Sequence, residues 1–166
     1  MRPPLFELWF YRARFGTWQD KFVSWWTVGP YSHVELVFPG GRCFSSSPRD
    51  DGVRVTRIPP SDHWAVVKLP QMPTSPAGAL AVSQECAKFI GRGYDWLGCF
   101  GCWAGVSSVH DGNRWYCSEI AIHVINRFAV GPAIPERLTP NRLFDHLVTA
   151  GLCASDPSAS TCATRD

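Results

Sequence analysis

The sequence is poor in charge, and neither sign dominates. Asp, Glu, Lys and Arg make up 18% of its 166 residues, the net charge is +2, and no run of lysines or arginines occurs. A nucleic-acid surface needs clustered cations, so that class of partner is set aside. Long apolar runs are missing too: none approaches the ~20 residues of a membrane-spanning helix. The opening "MRPPLFELWFYRARFG" is broken by Glu7, ends in Arg12 and Arg14 and has no small-residue cleavage site. It does not read as a signal peptide, and a soluble protein made in the cytosol is expected. "CFGC" at Cys99–Cys102 has no second CxxC and no HxxxH to complete a zinc site. Packing cysteines are therefore favoured there over metal or redox chemistry, and no metal or other cofactor is expected. The seven cysteines are odd in number and scattered, which points to reduced thiols.

What the chain does have is a globular composition, 45% hydrophobic, with eight Trp and ten Phe. Most of those rings are expected in the core, with one or two lining a cleft. Length and composition predict one domain over residues 1–153. The small polar tail, residues 154–166, is expected to be disordered.

Strand patterns dominate the first half. "LFELWFY", "SHVELVF", "RCFSSS", "GVRVTRI" and "WAVVKL" each read as a strand, and "PGG" at 39–41 as the hairpin turn between the second and third. In "SHVELVF", Val34, Leu36 and Phe38 share one face; His33, Glu35 and Val37 share the other, where Glu35 reads as an exposed charge. "TWQDKFVSWWT" predicts a short helix capped by Thr17, with Phe22, Trp25 and Trp26 on one face. Later come "AGALAVSQECAKFIGRG", a helix ending at Gly91 or Gly93, then "CSEIAIHVINRF", and "LTPNRLFDHLVTAG" with Thr139 as cap, Pro140 first and Gly151 as stop. The Gly/Cys/Trp-rich stretch after "YDWLG" has no assignable pattern. A small antiparallel sheet followed by helices makes an α+β domain.

"WYCSEIA" at 115–121 places Cys117 at the mouth of a helix. A thiol there meets unpaired N–H groups and the positive end of the helix dipole, which favour an anion, and a first-turn N–H can bind a developing oxyanion. An activating imidazole must be held rigidly. Of five histidines, His33 is the best placed because it lies within a strand; His63 and His110 sit in turn-like segments, His123 and His146 in late helices. A third polar group should orient the ring. Glu35 shares its face, while Ser45, Ser46 and Ser47 lie across the hairpin. The residues leave that choice open.

"YSHVELVF", "GVRV", "GYDWLG" and "WYCSEIA", in this order, with "TPNRLFDHL" at the end, resemble the circularly permuted papain-like amidases of the NlpC superfamily, which include lecithin:retinol acyltransferase-like enzymes. The motifs span residues 5 to about 150. The resemblance implies a small antiparallel sheet or half-barrel packed against helices, with Cys117 as nucleophile and His33 as general base. It puts Tyr94 near the thiol, and Trp96, Tyr31 and Ser118 join it as expected substrate contacts. The orienting residue of that family normally stands on the strand after the histidine; here that strand reads "CFSSSP", so Ser46, or else Glu35, is expected in the role. The implied activity is thiol hydrolysis of a peptide or isopeptide-like amide through an acyl-enzyme. A lipid or thioester acyltransferase and a non-catalytic binding module with the same cleft are the alternatives. The lack of an attached wall-binding module suits a bacterial or phage-encoded protein acting in a cell or particle.

Overall fold

The computed structural model describes residues 5–104, 112–152 and 154–155. Its strands are β1 (Phe6–Arg12), β2 (Tyr31–Val37), β3 (Arg42–Ser47), β4 (Gly52–Arg57) and β5 (Trp64–Leu69). They form one antiparallel sheet in the order β4-β3-β2-β1-β5. The helices are α1 (Trp18–Trp26), α2 (Pro76–Ala87), α3 (Trp96–Ala104), α4 (Cys117–Phe128) and α5 (Pro140–Thr149). Two short strands, β6 (Gly93–Tyr94) and β7 (Arg114–Trp115), pair in parallel beside the main sheet. Ala154 and Ser155 pair with Val67 and Val66 at the outer edge of β5, where the sequence reading begins a disordered tail. The architecture is mixed α+β. Segment 105–111, with His110, and residues 156–166 lie outside the described residues.

Cross-strand register explains why the sheet holds its helices. Phe10 opposes Val34, Leu8 opposes Leu36, Leu36 opposes Phe44 and Phe44 opposes Val55, so one apolar face runs across four strands. α4 and α5 share its core: Ile120, Val124, Leu143 and Leu147 are buried with Val34, Leu36 and Phe44. Each such side chain contributes about 1.5–3 kcal/mol on burial. On the opposite face Trp9, Val37 and Cys43 form a smaller cluster with Trp64 and Val66 packed against it.

Capping sets the helix boundaries. Thr139 accepts from the Arg142 N–H at 3.3 Å and Pro140 occupies the first position of α5. Ser75 does the same for Gly78 at the start of α2. That helix ends at Ala87, earlier than expected, because the chain tightens through Lys88 and Phe89 into Gly91. One glycine is required by close approach: Gly52 has φ 138°, and a Cβ there would stand 2.0 Å from the Arg92 carbonyl oxygen. The contact lets the Val53 N–H donate to that oxygen at 2.8 Å, joining β4 to the β6 turn.

The expectation that most rings lie in the core fails on two helices. α1 forms where the pattern predicts, but none of its residues is buried. Trp18, Phe22 and Trp25 are exposed, as are Trp96, Leu97 and Phe100 on α3. These rings are not core, because no element of the described structure lies over their outer faces.

Candidate functional site

His33 and Glu35 are two residues apart on β2 and therefore share a face. Nε2 of His33 lies 2.7 Å from Oε1 of Glu35. A carboxylate only accepts, so Nε2 carries the proton and Nδ1 is left for another partner. The thiol of Cys117 also lies close enough to interact with the His33 ring. Glu35 is fully buried rather than an exposed strand charge. Arg54 reaches it from β4, two strands away: Nη1 donates to Oε2 at 2.7 Å and Nη2 to Oε1 at 2.6 Å. Nε of Arg54 donates to Asp50 at 2.9 Å. The result is a line of charge, Asp50–Arg54–Glu35–His33, ending at the sulfur.

Burial pulls the imidazole toward its neutral form, but Cys117 and Glu35 together outweigh it and hold the ring's pKa up at about 10. Glu35 is opposed by burial as well, yet His33 and Arg54 bring it below the usual carboxylate range. At neutral pH the site therefore holds an imidazolium beside the Glu35 carboxylate and close to the sulfur of Cys117.

Cys117 is placed by contacts converging on the start of α4. Trp115, two residues earlier, is locked by its carbonyl, which accepts from the Ser46 hydroxyl at 2.6 Å and from the Asp95 N–H at 3.0 Å. Ser118 donates its hydroxyl to the Leu138 carbonyl at 2.6 Å, fixing the first turn from the other side. Helix geometry leaves the N–H groups of Cys117 and Ser118 without intrahelical acceptors. The first helical bond of α4 runs from Ile120 to Tyr116, at 3.2 Å.

The structure separates the remaining expected residues. Ser46 makes no hydrogen bond to the imidazole; its hydroxyl is spent on Trp115, and the β2–β3 ladder runs through Leu36↔Phe44 and Val37↔Cys43 without continuing to His33. Beyond the ladder Ser45 donates its hydroxyl to the Val34 carbonyl at 2.7 Å, a side chain in place of a backbone donor. Tyr31 is core rather than a substrate contact: it packs on Phe10 and Phe144 with ring centroids 5.5 and 4.6 Å away. Ser118 is completely buried and committed to Leu138, so its side chain is not a substrate contact either. Tyr94 does lie by the thiol; burial, then Cys99 and Cys117, raise its phenol, whose hydroxyl stands 3.7 Å from Cys99 Sγ. Trp96 is half exposed, 4.9 Å from the Tyr94 ring. Cys99 is pushed up to about 12 by burial and by Cys117, and with Cys102, Tyr94 and Tyr116 it forms a small packed cluster. Among the described residues no group of three or more His, Cys, Asp or Glu gathers as a metal site.

Three residues outside the expected set complete the surroundings. Arg54 was signalled by its alternation in "GVRVTR", which puts it on the Glu35 face. Asn141 grips the start of β2, accepting from the Tyr31 N–H and donating to the Tyr31 carbonyl, each at 2.9 Å. Glu119, in the first turn of α4, is raised by burial to about 7; its place three residues after the cap was the available signal.

No family model, curated protein or solved structure compared with the chain gives a match.

Proposed function

We propose that the protein is a thiol hydrolase acting on an amide bond, built on a permuted papain-like arrangement, with Cys117 as nucleophile, His33 as its acid–base partner and Glu35 as the positioning residue. One observation carries the reading: a single imidazole interacts both with a helix-N-terminal thiol and with a buried, arginine-held carboxylate. With the thiol proton already held on His33, the sulfur attacks the carbonyl carbon. The tetrahedral oxyanion forms within reach of the first-turn N–H groups of α4. Collapse breaks the C–N bond, and His33 returns the proton to the leaving amine. Water, deprotonated by His33, then releases the acid and restores the thiol. Peptide-like amides are the favoured substrates; transfer of the acyl group to another acceptor uses the same first half-reaction.

The test is acylation of the protein with p-nitrophenyl acetate, read by mass spectrometry on each cysteine. A burst of nitrophenolate with acetyl on Cys117, lost in Cys117→Ser and slowed at least about tenfold in His33→Ala, is expected. Labelling spread over the other thiols, or unchanged by His33→Ala, overturns the assignment.

A further inference from the structure

The exposed rings of α1 and α3 form one connected surface. Trp25 meets Phe22 at 6.0 Å, Phe22 meets the half-buried Trp26 at 5.6 Å, and Trp26 stands edge-on to Phe100 at 5.9 Å, bridging the exposed rings of the two helices. Phe100 stacks with Trp96 at 6.5 Å, and Trp96 touches Tyr94 beside the thiols. Trp18, Trp25 and Leu97 are the extremes, 75%, 74% and 74% exposed. On α1 the rings of Trp18, Phe22 and Trp25 recur at i, i+4 and i+7, a single outward stripe. α3 reads "WLGCFGCWA", without one charged side chain. A helix apolar all round is normally buried, and connected apolar patches on a lone chain mark interaction sites.

The cations nearby indicate what the patch meets. Lys21 stands on the same stripe, three residues after Trp18 and four before Trp25. Arg14 precedes the helix, its guanidinium 4.6 Å over the Phe15 ring. Both are exposed, and neither has an acidic partner among the described residues. The acid of α1, Asp20, is engaged by Arg49 at 2.5 Å and by Ser32. Asp145 is the one carboxylate lining the groove that holds Arg14, Lys21 and Trp25. A second copy related by a two-fold axis on this stripe would set Lys21 against its own image, like charge on like. A negatively charged lipid surface accommodates every feature: Trp, Phe and Leu enter the headgroup–acyl boundary while the cations meet phosphates. No helix among the described residues is long and apolar enough to cross a bilayer, so this contact lies in the interface plane.

We propose that α1 and α3 form a docking face for anionic phospholipid bilayers. The inference is independent of whether Cys117 is a nucleophile. The experiment is co-sedimentation with vesicles of phosphatidylcholine and phosphatidylglycerol in equal parts, against vesicles of phosphatidylcholine alone, with tryptophan emission read in parallel. The native protein is expected to sediment with the anionic vesicles, with blue-shifted emission, and more weakly with the neutral ones. Trp18→Ser/Trp25→Ser should reduce partitioning at least about tenfold, since each ring loses more than a tenfold share of burial energy. Lys21→Glu should weaken binding to the anionic vesicles only. All three positions are exposed, and circular dichroism confirms that the variants fold. Failure to sediment, equal binding to both vesicle types, or binding unmoved by the ring variants overturns the proposal. So does a dimer in analytical ultracentrifugation that the same ring variants split, which makes the face a self-interface.

Discussion

Arg54 lays two guanidinium nitrogens against the two carboxylate oxygens of Glu35, at 2.7 and 2.6 Å, across the width of β3. The fork explains how a fully buried carboxylate stays ionised while serving a histidine. Removing one partner of such a pair strands the other charge. Arg54→Ala is expected to cost on the order of 3–5 kcal/mol in urea unfolding. Arg54→Lys restores charge without the fork and should recover only part of that. Both variants should also slow Cys117 alkylation by iodoacetamide, because Glu35 then no longer holds the ring. An Arg54→Ala protein of native stability would show that the pair contributes nothing.

The imidazole gives a pH signature. Its folded value, about 10, lies above the ordinary 6.5, so the folded state binds this proton more tightly than the unfolded chain does. The stabilisation it supplies is complete below about 6.5 and is lost as pH rises toward 10. Thermal melts of the native protein and His33→Ala should therefore differ most in mildly acid buffer and converge at alkaline pH. A difference that stays constant from acid to alkaline pH would contradict the ion pair.

Asn141 holds the β2 entry, two residues from His33, with both ends of its carboxamide, and its amide also donates to Thr27 at 2.7 Å. Asn141→Leu keeps the volume but strands a buried N–H and a buried C=O. The expected loss is about 2–5 kcal/mol. Hydrogen exchange at the Tyr31 amide should rise by more than that of central β1 amides. Uniform acceleration across the sheet would instead indicate global destabilisation alone.

The strands and the last two helices were legible because their side chains repeat with the period of their structure. His33 and Cys117 were legible for the same reason: one lies in an alternating strand, the other opens an amphipathic helix. Glu35 was misread as exposed because its burial depends on Arg54, which arrives from two strands away, and alternation reports the face but not its cover. Ser46 drew attention through the hairpin register, which lapses before reaching His33. The aromatic stripe of α1 has helical spacing, and spacing alone does not distinguish a face turned inward from one turned to solvent. α3 is uncharged on every side, so it has no amphipathic signal at all.

The bond from Ser46 to the Trp115 carbonyl joins residues 69 positions apart, and it bears on when reactivity appears. Thiol and imidazole are brought together only by long-range closures, which form slowly and late in folding. A nascent or partly unfolded chain would thus carry its cysteines as ordinary thiols. Under the function proposed above, activation of the sulfur becomes a report that folding is complete, and a chain that fails to close stays chemically silent.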